Sequence, residues 1–299
     1  TGNAVQRLLT NSALAAAVAA NTVEIAEQAV ALITVEYEVL PHVIDVLEAM
    51  KDDAPLLHDD MFTGGVKPKP EKPSNVANRV EFSLGDIDAG FAAADVVIEK
   101  DFTTEPVHQG YIEPHAVVAD ANPEGKVDIW CSSQGHFMVR TFVAGLLKID
   151  MSKIKVTAAE IGGGFGGKTT VYLEPLAGML SSKSGRPVRM VMSRDEVFRA
   201  SGPTSGAAMT IKMGAKKDGT IVACDATLYL QAGAWPGSPV GPAAMTAFAP
   251  YDVDNVRVIG FDVVSNRQKV VAYRAPGAPI SEYGVECIVD ELAIELGID

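Results

Sequence analysis

Residues 161–169 read IGGGFGGKT, and five glycines occupy the six positions from Gly162 to Gly167. Glycine adopts positive φ at no steric cost and lets another group approach the main chain closely. The segment follows a strand-like apolar stretch and precedes a stretch of helical periodicity. A strand before such a loop and a helix after it direct free N–H groups toward an anion. The segment therefore predicts a loop that contacts an anionic ligand.

A nucleotide-binding P-loop is the first functional hypothesis for this segment. The pattern G-x-x-x-x-G-K-[S/T] is matched by Gly162, Gly167, Lys168 and Thr169. Three features weigh against it. Pro175 lies in the helix that should carry the phosphate site, and the flanking strands are predicted to form antiparallel hairpins. The apolar run that ends at Asp290 has helical periodicity, whereas a Walker B aspartate should end a strand. A tight turn that serves only the fold is a further interpretation.

Hydrophobic periodicity predicts regular elements on both sides of the glycine segment. They are a hairpin of strands 115–121 and 127–132, a helix over 136–147, a strand over 154–158, a helix over 171–184 and a strand over 188–192. The residues between the two hairpin strands, Asn122-Pro123-Glu124-Gly125, are typical of turns.

Residues 1–60 predict a small α/β unit and residues 61–79 a linker. The unit comprises a helix over 23–33 capped at Asn21-Thr22, a strand over 34–40 and a helix over 44–51. Residues 61–79 combine proline, glycine and lysine, which predicts an extended, solvated segment and a domain boundary. The second domain, 80–299, has these further predicted elements: strands over 96–102, 209–213 and 220–230, and a helix over 281–297 capped by Ser281.

The composition narrows the class of protein. The chain has 299 residues and a formal net charge of −13, so its bulk charge repels a phosphate backbone and excludes electrostatic binding of nucleic acid. It contains no apolar run long enough to span a membrane. Three cysteines far apart match neither a metal motif nor a disulfide framework, which favours the reducing cytoplasm. The first residue is not Met and the last follows a helical pattern, so we expect a fragment or a split subunit.

Four ordered segments resemble the large subunits of the molybdenum hydroxylases, the xanthine dehydrogenase, aldehyde oxidase and carbon monoxide dehydrogenase family. They are Glu113-Pro114-His115, Ser133-Gln134-Gly135, the GGGFGGK run at 162–168 and Ala272-Tyr273-Arg274-Ala275-Pro276-Gly277. The resemblance implies an α/β (α+β) fold. Residues 1–60 would be the end of an α/β hammerhead domain, and residues 80–299 the first half of the molybdopterin-binding domain.

The resemblance also implies a cofactor and its contacts. The cofactor is a molybdopterin, often as its cytosine dinucleotide, whose dithiolene holds molybdenum without a direct bond from the protein. Gln134 would hydrogen-bond an oxygen ligand of the metal, and the backbone of Gly163, Gly164, Phe165 and Gly166 would pack against the pterin. Arg274 would orient the substrate or stabilise charge in the transition state. Independently of the resemblance, Glu113 and His115 are expected to be structural, and Lys168 is expected either to be a solvated charge or to pair with a nearby carboxylate.

The implied holoenzyme hydroxylates a carbon centre with water as oxygen source and passes electrons to [2Fe–2S] and FAD on partner chains. Its copper-dependent CO-oxidising members carry cysteine where this chain has Ala275. Its purine-oxidising members carry glutamate where this chain has Thr169 and an aromatic residue where it has Pro276. A heteroaromatic or aldehyde substrate is therefore expected.

No segment resembles the one with the family's catalytic glutamate, so a second molybdopterin-binding half or subunit should supply it. A non-catalytic scaffold fragment is the remaining alternative.

Overall fold

The structure is a computed structural model that describes residues 16–298. Its strands are β1 (Val76–Leu84), β2 (Val96–Thr104), β3 (Ala116–Ala121), β4 (Val127–Cys131), β5 (Ile154–Ala158), β6 (Val188–Val191), β7 (Ala207–Ala215), β8 (Ile221–Gly233) and β9 (Val256–Val264). Its α-helices are α1 (Val23–Ala31), α2 (Ile87–Ala92), α3 (His136–Leu147), α4 (Glu174–Ser184), α5 (Arg194–Ala200), α6 (Val240–Thr246) and α7 (Ala278–Leu296). In this part of the chain no helix is both long and apolar enough to cross a bilayer.

The described residues form two compact units. Unit 1 comprises residues 16–40, 108–203 and 271–274, and unit 2 comprises residues 41–107, 204–270 and 275–298. Each unit contains one mixed β-sheet, which confirms the predicted α/β class.

The sheet of unit 1 has the order β5-β4-β3-β6. The predicted hairpin is present, since β3 pairs antiparallel with β4. Along β3 and β4 buried residues alternate with more exposed ones, and the buried side faces a core that includes Val139 and Val143 of α3. Helices α3 and α4 pack on this sheet because their apolar residues recur at helical spacing.

One pairing differs from the sequence-based expectation. Strand β4 pairs in parallel with β5, and α3 connects them, so a β-α-β unit directly precedes the glycine segment. The expectation of purely antiparallel neighbours was wrong, because a hairpin signal between β3 and β4 carries no information about the partner of β5. The carboxyl ends of β4 and β5 therefore meet at one edge of the sheet.

The sheet of unit 2 has the order β1-β9-β8-β7-β2, and α7 packs on β2 and β7. The strands predicted over 209–213 and 220–230 are present as β7 and β8, which pair antiparallel. The predicted cap of the last helix was wrong. Helix α7 begins three residues earlier, after Gly277, and the Ser281 hydroxyl donates to the Gly277 carbonyl inside the first turn. A serine within the helix satisfies its own hydroxyl in this way.

Residues 16–60 contain less regular structure than predicted. Helix α1 is present, with Thr22 Oγ1 accepting from Ile25 N as an N-cap. The strand predicted over 34–40 is absent, since no strand of the described residues pairs with it. The helix predicted over 44–51 is reduced to a 3-10 turn at Glu48–Met50. Here Asp45 Oδ1 accepts from Leu47 N and Glu48 N, a local turn that competes with an α-helix.

The predicted linker overlaps a strand, because β1 begins at Val76. Ser74 N also donates to Met61 O, so the two ends of the proline-rich stretch are joined. The domain boundary at 61–79 and the hammerhead assignment of residues 1–60 stay predictions. Residues 1–15 and 299 lie outside the described part of the chain.

Candidate functional site

The loops that follow β4 and β5 are bound to each other at their common edge of the sheet. Gln134, three residues after β4, donates its backbone N–H to the carbonyl of Lys168 at 2.9 Å. Its side-chain Oε1 accepts from Gly166 N at 2.9 Å and from Lys168 N at 3.2 Å. The parallel pairing of the two strands thus brings together two of the motifs predicted to form the site.

These two contacts determine how the Gln134 amide is oriented. Both partners are N–H donors, so the atom that they contact must be the oxygen. The amide nitrogen is left with two N–H donors, which bond no acceptor among residues 16–298. Gln134 is exposed, so these donors are available to a ligand.

Gly164 is a glycine because Gln134 lies against it. A Cβ built on Gly164 would lie 2.5 Å from Gln134 Oε1 and 2.8 Å from its Cδ. Non-bonded carbon atoms need about 3.5 Å. A side chain at this position would therefore push the Gln134 amide away from its two backbone donors.

Phe165 and Gly166 bring the glycine segment to the third predicted motif. Both have positive φ, 51° and 103°. The Phe165 carbonyl accepts from Arg274 N at 2.9 Å, and a Cβ on Gly166 would lie 2.5 Å from the carbonyl oxygen of Ala272. Phe165 is 50% exposed. Its backbone N–H has no acceptor in the described part of the chain.

The Lys168 side chain is fully buried and pairs with a carboxylate. Its Nζ lies 2.6 Å from Glu113 Oε2 and 5.0 Å from the centre of the Tyr111 ring. Gly162 N donates to the same carboxylate oxygen at 2.8 Å. Burial alone would raise the pKa of Glu113, but the Lys168 ammonium and the Gly162 N–H hold that pKa below its usual value. Of the two expectations for Lys168, this geometry agrees with pairing to a carboxylate and not with a solvated charge.

The P-loop hypothesis is wrong for this segment. A P-loop lysine reaches the phosphates of a nucleotide, and the helix begins at the loop. The Lys168 side chain is instead buried and forms an ion pair with Glu113. Helix α4 begins only at Glu174, with Pro175 as its second residue. The helix predicted to start at residue 171 therefore starts three residues later, and its N-terminus does not belong to the glycine segment.

Arg274 is exposed, and its guanidinium makes no hydrogen bond or ion pair to residues 16–298. Only its backbone is held, through the bond to Phe165 O. The residue after it, Ala275, has φ 57°, an unfavourable value for a residue with a Cβ. Arg274 thus carries a guanidinium that is unpaired among the described residues, on a backbone that is bonded to the glycine segment.

His115 is a buried structural residue, as expected. Its Nε2 is hydrogen-bonded to the Tyr111 hydroxyl at 2.7 Å, and its ring packs edge-on against Tyr172. Burial, with a smaller contribution from the Lys168 charge, lowers the pKa of His115 to about 4. The ring is therefore neutral at physiological pH.

Sequence reasoning missed Gln109 and Tyr111, which pack behind the glycine segment. Gln109 Nε2 donates to the carbonyl of Ala272 at 3.0 Å, and a Cβ on Gly167 would lie 2.7 Å from Tyr111 Cε1. Their position shortly before the Glu113 motif was the only available signal, since neither residue belongs to a motif of its own.

Three groups with unpaired N–H donors determine which kind of ligand the site can bind. The Gln134 amide N–H groups, the Phe165 N–H and the Arg274 guanidinium all donate hydrogen bonds and cannot ligate a metal cation. They suit oxygen atoms and negative charge. This donor set fits a cofactor that binds its metal through its own atoms and presents the metal's oxygen ligands to the protein.

Comparison with known proteins agrees with this chemistry. The profile of the molybdopterin cofactor-binding domain matches residues 68–299. Nicotinate dehydrogenase large molybdopterin subunit of Eubacterium barkeri is 32% identical over 289 residues, covering 95% of this chain and 64% of that protein. A probable xanthine dehydrogenase subunit of Bacillus subtilis is also 32% identical, over 95% of this chain and 37% of that protein. The chain thus spans less than two thirds of these relatives.

Among solved structures, aldehyde oxidoreductase from Desulfovibrio gigas superposes with a TM-score of 0.83 and 29% sequence identity. The match covers 94% of this chain and 30% of that chain. The profile match, the relatives and the shared fold confirm the resemblance found in the four motifs. The chain belongs to the family of molybdopterin cofactor-binding domains.

Proposed function

We propose that this chain is the molybdopterin-binding part of a molybdenum hydroxylase that oxidises a heteroaromatic or aldehyde carbon, with water as the oxygen source. The orientation of the Gln134 amide carries the proposal. Its oxygen is held by two N–H groups of the glycine segment, which leaves its N–H donors for an oxygen ligand of the cofactor. When bound, a molybdopterin supplies two-electron oxidation and transfer of a water-derived oxygen to the substrate.

Gln134 and Phe165 would hold and orient this cofactor, in its simple or cytosine dinucleotide form. The Gln134 amide and the Phe165 N–H lie on loops that are hydrogen-bonded directly to each other. Donors that need no rearrangement stabilise negative charge more effectively than mobile ones. Gly163, Gly164 and Gly166 keep this surface free of side chains, so the backbone can lie against the pterin.

Arg274 would act on the substrate. Its guanidinium has five N–H donors and no competing partner among the described residues, so it can orient a carbonyl oxygen or stabilise charge that develops on it. Positions 275 and 276 hold alanine and proline, which supply neither a thiol nor an aromatic ring. We therefore favour a heteroaromatic or aldehyde substrate over carbon monoxide or a purine.

Other polypeptide segments would complete the enzyme. Two of the relatives are named as subunits, which supports an assembly of several chains. We propose that a second molybdopterin-binding half provides the catalytic base, and that partner chains carry [2Fe–2S] and FAD. Cys131 and Cys224 of this chain are buried in different units and are free thiols, which supports the cytoplasm as the proposed location.

The decisive experiment combines metal analysis with one conservative variant. The natively purified complex should contain stoichiometric molybdenum and a releasable pterin. In Gln134→Glu the carboxylate still accepts from Gly166 N and Lys168 N, but the N–H donors are lost. We expect unchanged unfolding stability and at least a tenfold loss of turnover per molybdenum. Gln28→Glu, the same change on the exposed surface of α1, is the matched control.

Two results would contradict the proposal. A complex that holds no molybdenum or pterin would remove the cofactor. Full turnover of a metal-replete Gln134→Glu variant would remove the proposed role of the amide donors.

A further inference from the structure

We propose that Gln109 is a positioning residue for Arg274, an inference that rests on the proposed function of Arg274 in substrate handling. Gln109 is 5% exposed, and its Nε2 donates at 3.0 Å to the carbonyl of Ala272, two residues before Arg274. No sequence motif includes this contact, which joins residues 163 positions apart.

Three hydrogen bonds hold the backbone segment 271–274 that carries Arg274. Val271 N donates to the Pro203 carbonyl at 2.9 Å, the Gln109 amide donates to the Ala272 carbonyl, and Arg274 N donates to Phe165 O. The segment 271–274 is neither helix nor strand, so no regular ladder of hydrogen bonds fixes it. The bonds to Ala272 and to Arg274 itself are the two nearest to the guanidinium, so each contributes to its position.

The Gln109 amide fits between Ala272 and the glycine segment. A Cβ on Gly167 would lie 2.9 Å from both Cδ and Oε1 of Gln109, so the amide rests directly on the Gly167 backbone. Only the nitrogen of the amide can satisfy the Ala272 carbonyl, because two facing oxygens would repel each other. The tether is thus specific for an N–H donor at this position.

Gln109 is itself held in place by its neighbours. The preceding residue, His108, accepts from Gly110 N through Nδ1, so its Nε2 carries the proton and donates to Ser201 Oγ at 2.9 Å. The ring of Tyr111 lies 4.9 Å from the His108 ring, and its hydroxyl lies 3.3 Å from the same Ser201 oxygen. This network fixes both sides of Gln109, so its amide can transmit a fixed position to Ala272.

The position of the Arg274 guanidinium depends on its backbone, because no hydrogen bond or ion pair among the described residues holds the side chain itself. The guanidinium is free of partners among residues 16–298, and a free arginine loses rotamer entropy when it engages a substrate. A mobile backbone at Arg274 would add to that cost. Loss of the tether should therefore weaken substrate binding and turnover through Arg274 without removing the guanidinium.

The first test needs no turnover. In the intact complex, amide hydrogen exchange of Arg274 reports the bond to Phe165 O. We expect exchange about fivefold faster in Gln109→Met, the factor that corresponds to one lost hydrogen bond of about 1 kcal/mol. Gln231→Met, the same change at a residue that is also 5% exposed but lies in unit 2, should leave this exchange rate unchanged. Equal exchange in Gln109→Met and the parent protein would overturn the tether.

The second test is a double-mutant cycle on kcat/KM. We expect Gln109→Met to lower kcat/KM about fivefold in the parent and less than twofold in an Arg274→Ala background, because the positioned group is then absent. The same fivefold loss in both backgrounds would overturn a role through Arg274.

A second variant, Gln109→Glu, provides a pH signature. The introduced carboxyl group can donate to the Ala272 carbonyl when it is protonated, whereas its ionised form repels that carbonyl. The kcat/KM of Gln109→Glu relative to the parent should rise as pH falls, and a flat ratio would contradict the tether. If Arg274→Ala alone leaves kcat/KM unchanged, the proposed function of Arg274 fails, and the exchange experiment still decides the tether.

Discussion

Gly164→Ala should destabilise the protein even though it adds only one methyl group. The added Cβ would lie 2.5 Å from Gln134 Oε1, 2.8 Å from Cδ and 3.1 Å from Cγ. Ordinary contact requires about 3.5 Å, so the Gln134 amide must move by about 1 Å. A shift of that size breaks its bonds to Gly166 N and Lys168 N, which are 2.9 and 3.2 Å long.

The magnitude follows from these two bonds. A neutral hydrogen bond contributes about 1 kcal/mol net, so the variant should lose about 2 kcal/mol of unfolding free energy. Gly145→Ala is the matched control. Gly145 lies exposed in α3, and a Cβ there meets no atom within 4 Å. Alanine in a helix is about 1 kcal/mol more favourable than glycine, so this variant should gain about that much unfolding free energy.

Urea denaturation of the two variants and the parent protein measures this difference. We expect the two glycine-to-alanine variants to differ by about 3 kcal/mol, the sum of the expected loss and the expected gain. The double variant Gly164→Ala/Gln134→Ala should cost less than the sum of its single changes, because removal of the amide removes the steric conflict. If Gly164→Ala lies within about 0.5 kcal/mol of the parent protein, the close approach of Gln134 to the glycine segment is refuted.

Two further predictions concern the buried polar groups behind the glycine segment. Lys168→Met should lower the unfolding free energy by about 2 kcal/mol, because it removes a charged hydrogen bond to Glu113, and a urea titration that shows no loss would contradict the buried pair. His115 has a pKa lowered to about 4 by burial and by Lys168, so the unfolded chain binds its proton first as pH falls. The stability advantage of the parent over His115→Gln should therefore be full above a pH of about 6.5 and fall by about 3 kcal/mol toward a pH of about 4; equal pH profiles of the two proteins would refute this assignment.

Several elements could be predicted from local pattern alone. The periodicity of 136–147 gives the bounds of α3 as observed, and the turn residues 122–125 place the β3–β4 hairpin correctly. The strand predicted over 34–40 from its alternating pattern is absent. Alternation indicates a strand only when a neighbouring strand can satisfy the backbone hydrogen bonds. The helix predicted over 44–51 is likewise absent, because the Asp45 side chain accepts from Leu47 N and Glu48 N and forms a turn instead.

The candidate site shows the same division. Gln134, Phe165 and Arg274 were named from their motifs, and the structure brings all three together through backbone and amide contacts. Their roles toward a cofactor stay proposals. Gln109 could not be predicted, because its contact to Ala272 spans 163 positions and leaves no periodic signal in the sequence.

The class of fold, the order of the motifs and the need for close backbone approach at the glycine segment all follow from the amino-acid sequence. The identity of the groups that approach this segment depends on how the chain folds. The nearest neighbours of Gly164 and Gly166 are Gln134 and Ala272, which lie far from them along the chain. The tertiary structure also turned Lys168 from a candidate phosphate ligand into the buried partner of Glu113. Spacing along the chain encodes helical and strand periods, whereas the meeting of distant loops depends on parallel strand pairing and on packing in three dimensions.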